Sequence, residues 1–357
     1  MKKVLYISNI EVPYRVRFFN ELAEKCDLIV LYERKSSTNR DDRWTRSVEG
    51  KYTVKYLNGI STKAENAFSF GILKEIFSGY DSIIIGCYNS PVQMLAIMAL
   101  RCLRKPYFVN LDGEAFLEGN GIKPRIKRAF LKGACGYLTA GEKTTLSLKK
   151  VFPDGNAVPY YFSSMSEAEL ERNKTVGMQR RNDTILVVGQ YYDCKGIDVA
   201  LKLAQMDAAH KYKFVGMGKR TELFKERFSG MIPDNVEIIP FLQKKELEEE
   251  YRNCGLLLLP SRQECWGLVI NEAASFGMPI VSTWGSGAAV EFLADAYPQY
   301  LAKPGDAEDL YRCIRNCVDA EDNEAYSAYL IGKSKEYTIE RSVRAHLSAL
   351  GIEKEED

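Results

Sequence analysis

The 357-residue sequence contains only two histidines, His210 and His346, and its nine cysteines are scattered singly with no Cys-x-x-Cys pair. Zinc sites draw their ligands from clustered cysteine and histidine, so this composition argues against one. The first strand-like segment is not followed by a Gly-x-Gly-x-x-Gly motif, which disfavours a nicotinamide-dependent dehydrogenase. A zinc-dependent protein and a nicotinamide-dependent dehydrogenase are therefore both poor candidates.

The chain also has no run of 18 apolar residues, so we expect no membrane-spanning helix. Its N-terminus passes from Lys2 and Lys3 directly into the strand-like run Val4–Ser8, which is too short for the apolar core of a signal peptide. We therefore expect a cytoplasmic protein with reduced thiols that meets a membrane, if at all, from the surface.

Charge is distributed unevenly, although the net charge is only +1. Residues 1–165 carry an excess of Lys and Arg, and residues 166–357 carry an excess of Asp and Glu. A basic first half indicates an anionic partner for that half, although a drift in surface composition would give the same pattern. We expect no nucleic-acid partner.

Short apolar runs alternate with amphipathic ones along most of the chain. Strand-like runs in the first half are Val4–Ser8, Asp27–Glu33, Tyr52–Leu57, Ser82–Cys87, Pro106–Asp112 and Gly136–Ala140, with helical patterns at Tyr14–Lys25 and Pro124–Lys132. After a polar stretch, 163–183, which we interpret as a domain linker, strand-like runs resume at Thr184–Gln190, Lys211–Gly218, Val236–Phe241, Gly255–Ser261 and Pro279–Trp284. This order predicts two successive α/β domains with doubly wound parallel sheets, whose ligands bind beyond the carboxyl ends of the strands.

Two glycine-containing loops follow strands of the second half. The loop from Gly189 to Gly196 contains Lys195 and precedes a helical pattern, an arrangement that suits a phosphate group. A Lys-Gly pair also marks an ordinary helix start, and the Gly-Lys-Ser/Thr sequence of a P-loop is absent from this loop. Gly216 and Gly218 follow the next strand, where they suit either close approach of a ligand or a tight turn.

The most informative segment is Ser261–Gly277. It places Glu264 in a polar loop, followed by a helix that begins near Gly267 and carries Glu272 on its second turn. The N-terminal N–H groups of such a helix favour a phosphate. Carboxylates would repel a phosphate but suit hydroxyl groups, so we assign Glu264 to a sugar and Glu272 to a ribose.

The Glu264-x7-Glu272 spacing, with Trp266-Gly267 inside it and Ser261 before it, resembles the retaining glycosyltransferases of family 4, which have the GT-B fold. The resemblance covers nearly all of 184–302. It implies two Rossmann-like doubly wound domains that face a central cleft, and transfer from a nucleotide-sugar co-substrate without a metal or other cofactor.

The resemblance also implies roles for individual residues. Lys195 would contact the donor diphosphate, Glu264 the donor sugar and Glu272 the ribose, while the region of Phe241 would face the base. The implied donor-binding set is Gly189, Gln190, Lys195, Gly216, Gly218, Phe241, Glu264, Trp266, Gly267, Leu268, Val269 and Glu272. Many members carry Arg where this chain has Gln190, so phosphate neutralisation would depend more on Lys195 and on helix N-termini.

The first half is expected to bind the acceptor. Tyr14 and Arg15 would lie at the mouth of the cleft, although a helix start with an exposed Arg is the alternative. Many relatives present a His near the strand end that here carries Asp112, so Asp112 takes its place beside Lys195 and Glu264 in the predicted catalytic set, with Glu114 on the acceptor side. Asp112-x-Glu114 alternatively resembles the metal-binding motif of GT-A transferases.

Two helices complete the expected organisation. Residues 123–132 are basic and amphipathic, which suits an anionic membrane surface or simply a solvated helix face. A C-terminal helix over about 338–352 is expected to pack back on the first domain. We therefore predict an N-terminal acceptor-binding domain over 1–165 and a nucleotide-sugar-binding domain over 166–337.

Together these features predict a glycosyltransferase, and the resemblance implies that it retains the configuration at the anomeric carbon. It would move a hexosyl or N-acetylhexosaminyl group from a UDP-sugar, or from a GDP-sugar, to a hydroxyl group of a glycan or lipid-linked saccharide in surface polysaccharide synthesis. Three alternatives stay open: an inverting GT-B transferase with Asp112 as base, a GT-B-type sugar-nucleotide epimerase, and a non-catalytic sugar-nucleotide-binding protein.

Overall fold

A computed structural model describes residues 1–35, 49–61, 67–88, 90–113, 121–174, 181–321 and 323–353. The chain divides into two compact units. The first unit comprises Met1–Phe162 together with Ile339–Asp357, and the second comprises Ser163–Thr338. The change of unit thus falls at Phe162 and Ser163, three residues before the boundary expected from the sequence.

The first unit is built on a parallel sheet. Its strands are β1 (Lys3–Ser8), β2 (Asp27–Tyr32), β3 (Thr53–Tyr56), β4 (Ile60–Ser61), β5 (Ala67–Phe68), β6 (Ser82–Ile85), β7 (Phe108–Leu111), β8 (Gly136–Ala140) and β9 (Ala157–Tyr160). Seven of them form a parallel sheet in the order β3-β2-β1-β6-β7-β8-β9, while β4 and β5 pair as a separate antiparallel ribbon. The central strands are continuously apolar because both faces of such a sheet are covered.

In the described part of this unit, five helices connect the strands. They are α1 (Pro13–Ala23), α2 (Gly71–Phe77), α3 (Pro91–Cys102), α4 (Ile122–Leu131) and α5 (Gly141–Val151). Parallel crossovers are right-handed, so the reversal of strand order at β1 places helices on both faces of the sheet. The core between them is formed by side chains such as Leu5, Ile29, Ile85, Ile97 and Leu138, all of which are buried.

The second unit repeats this design. Its strands are β10 (Arg181–Val188), β11 (Lys211–Val215), β12 (Val236–Ile239), β13 (Cys254–Leu259), β14 (Ile280–Thr283) and β15 (Leu301–Ala302). They form one parallel sheet in the order β12-β11-β10-β13-β14-β15. The helices are α6 (Glu167–Lys174), α7 (Ile197–Met206), α8 (Thr221–Arg227), α9 (Lys244–Asn253), α10 (Leu268–Ser275), α11 (Gly287–Leu293), α12 (Ala307–Val318) and α13 (Asn323–Ser334). The two predicted doubly wound α/β sheets are therefore confirmed.

The last helix, α14 (Ile339–Ala349), belongs to the first unit. Its His346 ring packs against Phe18 of α1 with centroids 4.7 Å apart. Lys2 Nζ donates 3.0 Å hydrogen bonds to the carbonyl oxygens of Leu350 and Gly351, just beyond the helix. The chain therefore returns to its first unit at its C-terminal end.

The polar stretch 163–183 differs from the expected linker, because it contains α6 and the start of β10. Helix α6 packs through few side chains: Leu170 is buried, and the Asn173 amide donates to Ser275 Oγ at 3.0 Å. A helix with so narrow a buried face shows no apolar period. No helix of the described ranges is long and apolar enough to cross a bilayer.

Candidate functional site

The residues expected to bind a donor lie beyond the carboxyl ends of neighbouring strands in the second sheet. Gly189 and Gln190 follow β10, Gly216 and Gly218 follow β11, Phe241 follows β12, and Glu264 to Val269 follow β13. The strand order reverses between β10 and β13, which form the centre of the sheet. Ligands of doubly wound sheets bind at this reversal, so the tertiary structure gathers the predicted set at a suitable edge.

The loop after β10 leads into α7 through a glycine that no other residue can replace without strain. Lys195 ends a three-residue 3-10 turn that begins at Asp193, and Gly196 follows with φ of +65° as the N-cap of α7. A Cβ atom at Gly196 would collide with the carbonyl oxygen of Pro260. The glycine thus lets the Lys195 loop pack directly against the end of β13.

A second left-handed glycine precedes α10. Gly267, with φ of +102°, is the N-cap of this helix, and Leu268 and Val269 are its first residues. The N–H groups of these first positions have no acceptor within the helix, and the helix dipole adds positive potential there. The backbone at Leu268 and Val269 is therefore suited to an anion.

The Lys195 ammonium group and the Glu264 carboxylate are in direct contact. The Lys195 side chain is 28% exposed and that of Glu264 is 16% exposed, so solvent screens the pair only partly. Residue 264 is itself anchored, since its N–H donates to the Gly285 carbonyl at 2.8 Å. Two residues separated by 69 positions thus form one ion pair between the loops after β10 and β13.

The same two loops are joined by Arg262, which sequence reasoning did not identify. Its guanidinium donates to both carboxylate oxygens of Asp198 at 2.8 and 2.7 Å, and to the Asp193 carbonyl at 2.9 Å. Although burial raises it, the hydrogen bonds from Arg262 hold the pKa of Asp198 below its ordinary value. This two-pronged pair fixes the loop of Lys195 relative to the loop of Glu264.

Glu272 already has hydrogen-bond donors within the second unit. Ser164 Oγ donates to one carboxylate oxygen and the Tyr251 hydroxyl to the other, each at 2.8 Å. Burial raises the pKa of this carboxyl above its ordinary value. Each oxygen keeps a second lone pair, so a ribose contact would add to these bonds without replacing them.

The indole ring of Trp266 points into the core, so the expected contact of this residue with a ligand is left to its backbone. The ring is buried, its N–H donates to Asn271 Oδ1 at 2.9 Å, and it packs 5.8 Å from the Tyr337 ring. Phe241, expected near the base, is half-buried two residues beyond β12. The indole therefore serves the packing of α10 and is unavailable for stacking on a ligand.

In the first unit, Arg15 differs from its expected place at the mouth of a cleft. Its guanidinium is buried, donates to the Tyr6 hydroxyl at 2.7 Å and contacts the Asp112 carboxylate directly. Although burial lowers it, the Asp112 carboxylate holds the pKa of Arg15 well above its ordinary value. Arg15 is therefore a partner of Asp112 inside the unit, where an acceptor would not reach its charged end.

Asp112 is correspondingly constrained. Its Oδ1 accepts from Asn110 Nδ2 and from the Tyr160 hydroxyl, both at 2.5 Å, while Oδ2 faces Arg15. Both oxygens of this carboxylate therefore already have partners within the first unit. This geometry favours a positioning role, and a direct catalytic role for Asp112 stays a prediction.

The remaining residues expected on the acceptor side are Tyr14 and Glu114. Tyr14 lies at the start of α1, where its ring packs edge-on against Phe162 at 5.8 Å. Glu114 lies outside the described residues, and with it the alternative Asp112-x-Glu114 metal motif. Across the part of the chain that is described, no group of three or more His, Cys, Asp or Glu is placed to hold a metal ion.

His346, which sequence reasoning overlooked, joins the polar cluster formed by Arg15, Asn110, Asp112 and Tyr160. Its Nε2 lies 3.0 Å from Asn110 Oδ1, and its Nδ1 lies 2.7 Å from the Ser342 carbonyl oxygen. Burial lowers the pKa of His346 to about 4, so the ring is neutral at neutral pH. The scarcity of histidine and the expected return of the last helix together could have indicated this contact.

The basic segment 123–132 coincides with α4 and presents apolar side chains to solvent. Ile122 is 76% exposed and Ile126 is 48% exposed, and Arg125 on the same face is also exposed. Leu131 at the end of the helix is buried in the core. The exposed face of α4 thus carries two large apolar side chains, which a helix face that is merely solvated would not need.

The chain is similar in sequence and in fold to known glycosyltransferases. Residues 171–333 match the model of the family described as glycosyl transferases group 1. An uncharacterised glycosyltransferase of Methanocaldococcus jannaschii is 29% identical over 285 residues, which are 75% of this chain and 74% of that protein. The lipopolysaccharide glucosyltransferase WaaG of Escherichia coli is 26% identical over 190 residues, 51% of this chain and 48% of WaaG. The structure of Anabaena Alr3699/HepE in complex with UDP has a TM-score of 0.70 at 14% identity, and covers 98% of this chain and 100% of its own.

Proposed function

We propose that this chain, a glycosyltransferase with the GT-B fold, transfers a hexosyl or N-acetylhexosaminyl group from a UDP-sugar to a hydroxyl of a glycan or lipid-linked saccharide, with retention at the anomeric carbon. The observation that carries the proposal is the Lys195–Glu264 pair, which lies where the second sheet reverses its strand order. The start of α10 at Gly267 follows within the same loop. The likeness to a protein whose structure contains UDP supports uridine as the base.

Donor binding would exchange the partners of this ion pair. The diphosphate of the donor would attract Lys195, together with the N–H groups of Leu268 and Val269 at the start of α10. Glu264 would then accept hydrogen bonds from hydroxyl groups of the donor sugar. Glu272, which lies one helical turn after Leu268, would accept hydrogen bonds from the ribose hydroxyl groups.

The chemical step would break the bond between the anomeric carbon and the diphosphate oxygen, and would form a bond from that carbon to the acceptor oxygen. The acceptor proton would pass to the departing diphosphate. Negative charge develops on that diphosphate, so Lys195 and the N-terminus of α10 would stabilise the transition state more than the bound donor. Retention requires the acceptor to approach on the face that the diphosphate leaves.

The geometry of Asp112 supports retention over inversion. An inverting transferase needs a base in the acceptor-binding unit, and Asp112 is already held by Arg15, Asn110 and Tyr160. Proton NMR of the fresh product, which reads the anomeric configuration, would decide between the two. A product of the inverted configuration would refute the retaining assignment.

The proposal is tested by nucleotide-sugar binding and turnover. UDP, GDP and a panel of their sugars would be compared by thermal shift, where a ligand at 100 times its Kd stabilises by about 2.7 kcal/mol. We expect a UDP-sugar to be preferred and to be consumed only when a saccharide acceptor is present. Consumption without acceptor would indicate an epimerase, and binding without turnover on any acceptor would indicate a binding protein.

The reaction is proposed to need no metal, because Lys195 and the helix N-termini supply positive charge for the diphosphate. Transfer assays with EDTA would test this directly, with the expectation of unchanged rates. Loss of activity in EDTA that Mn²⁺ restores would contradict it.

We further propose that α4 attaches the enzyme peripherally to the inner face of an anionic membrane, where lipid-linked acceptors reside. Exposed Ile122 and Ile126 would enter the interface while Arg125 contacts anionic headgroups. In a flotation experiment the wild type should rise with vesicles of anionic phospholipid, whereas an Ile122→Ser/Ile126→Ser variant should stay behind. Ile60→Ser, at an equally exposed isoleucine of β4, is the matched control and should float like the wild type.

A further inference from the structure

The guanidinium of Arg220 lies over the ring of Tyr192 at the same edge of the second sheet. Arg220 ends a 3-10 turn that follows β11, and Tyr192 lies in the loop after β10. The guanidinium carbon is 3.9 Å from the ring centroid, and Nη1 donates to the Tyr191 carbonyl at 3.3 Å. Both side chains are half-buried, so the contact is partly shielded from solvent.

Among the described residues no carboxylate neutralises the charge of Arg220, unlike the charges of two other cations at this loop. Lys195 contacts Glu264, and Arg262 binds Asp198 through both of its terminal nitrogens. For Arg220, no carboxylate oxygen of the described residues lies within ion-pairing distance. A half-buried cation without a counter-ion is unfavourable in a ligand-free protein, and it is relieved when an anion binds.

We propose that Arg220 binds the diphosphate of the nucleotide donor and that Tyr192 orients its guanidinium for this contact. This inference rests on the proposed function, which brings a nucleoside diphosphate to the carboxyl edge of β10 and β11. A guanidinium presents paired N–H donors that match the oxygens of a phosphate group. Arg220 would supply charge without first giving up a carboxylate partner, which Lys195 must do.

Tyr192 contributes through its ring face and not through its hydroxyl. The hydroxyl is buried and makes no hydrogen bond to any residue of the described ranges. The cation–π contact with Arg220 is therefore the interaction that its substitution would remove. Tyr192→Phe keeps the ring, while Tyr192→Leu removes the π face at similar bulk, so the two variants separate these roles.

The test is calorimetric titration of the full-length protein with UDP, UMP and uridine. For Arg220→Met we expect the Kd of UDP to rise about 10- to 100-fold, that of UMP to rise less, and that of uridine to stay unchanged. Arg220→Lys keeps a charge but loses the fork, so its Kd for UDP should lie between those of wild type and Arg220→Met. Tyr192→Leu should raise the Kd of UDP about 2- to 5-fold, while Tyr192→Phe should match the wild type.

Arg227 provides a matched control, because its guanidinium also lies over an aromatic ring, that of Phe228 at 5.7 Å, but at the exposed far end of α8. Arg227→Met should leave all three dissociation constants unchanged. An equal loss for uridine and UDP in Arg220→Met would overturn the inference, because Arg220 would then serve the base. A UDP affinity equal to that of the wild type in Arg220→Met would also overturn the inference, but it would leave the proposed function untouched. A wild type that binds neither UDP nor UDP-sugars would instead refute the proposed function, and the inference with it.

Discussion

Replacing Lys195 with methionine removes the ammonium group that contacts Glu264 while retaining most of the side-chain length. If Lys195 stabilises the departing diphosphate, kcat should fall about 100- to 1000-fold, which corresponds to roughly 2.7–4 kcal/mol of transition-state stabilisation. The half-buried Glu264 carboxylate also loses its partner, which should cost about 1–2 kcal/mol of folding free energy, between the values for exposed and buried pairs. Two consequences of one substitution therefore need to be separated.

The Lys213–Glu250 pair provides the separation. Its side chains are 21% and 18% exposed and 2.8 Å apart, so its burial resembles that of the Lys195 pair, but it joins β11 to α9 outside the candidate site. Lys213→Met should therefore lose a similar folding free energy while retaining the wild-type kcat.

The assay would combine UDP release under saturating donor and acceptor with thermal unfolding of both variants. The reasoning would be refuted if folded Lys195→Met turned over within about threefold of wild type, or if Lys213→Met lost as much activity as Lys195→Met. In the first case the diphosphate charge must be met elsewhere, and in the second the activity loss would reflect stability alone.

Three further predictions concern particular residues. Gly196→Ala and Gly218→Ala both place a side chain at positive φ, at a cost of about 1–2 kcal/mol each. Only the new methyl group at position 196 also collides with Pro260, so thermal unfolding should show a clearly larger loss of stability for Gly196→Ala. Equal losses of stability in the two variants would contradict this packing. Glu272→Gln removes a carboxyl group whose pKa is raised by burial above its ordinary value of 4.5. The wild type should therefore lose stability relative to the variant as the pH rises from about 4.5 through the pKa of the folded state. A difference in melting temperature that does not grow between pH 4 and pH 7 would argue against this role of burial. His346 has its pKa lowered from 6.5 to about 4, so the unfolded state gains a proton first and stability should fall by roughly 3 kcal/mol as pH drops through that window. His346→Gln should flatten this dependence in urea unfolding, and an unchanged slope would show that another group is responsible.

Motifs confined to one segment could be predicted well. The Ser261–Gly277 segment carries its strand end, loop and helix start within 17 consecutive residues, so its chemistry depends on local order. The same holds for the loop that ends at Gly196 before α7. The enzyme class that these segments indicated, a glycosyltransferase, is confirmed by the comparisons, as is the GT-B fold.

Strand ends were less predictable than strand existence. The expected strand Lys211–Gly218 ends at Val215, because Gly216 turns the chain with φ of +95° while the residues around it remain apolar. Short strands such as β9 and β15 were missed, since four or two residues are too few to establish a period.

The order of apolar and amphipathic runs along the chain was enough to predict two doubly wound sheets, and phosphate binding at the carboxyl edge of the second stays a prediction. Tertiary structure decided which side chains meet: the charges of Arg15 and Asp112 across 97 positions, those of Arg262 and Asp198 across 64, and the Arg220 guanidinium with the Tyr192 ring. It also decided that Arg15 is buried and that His346 reaches Asn110. Helical and strand periods report only on neighbours along the chain. These pairs instead depend on strand order and on the return of α14, and both are set by how the whole core packs.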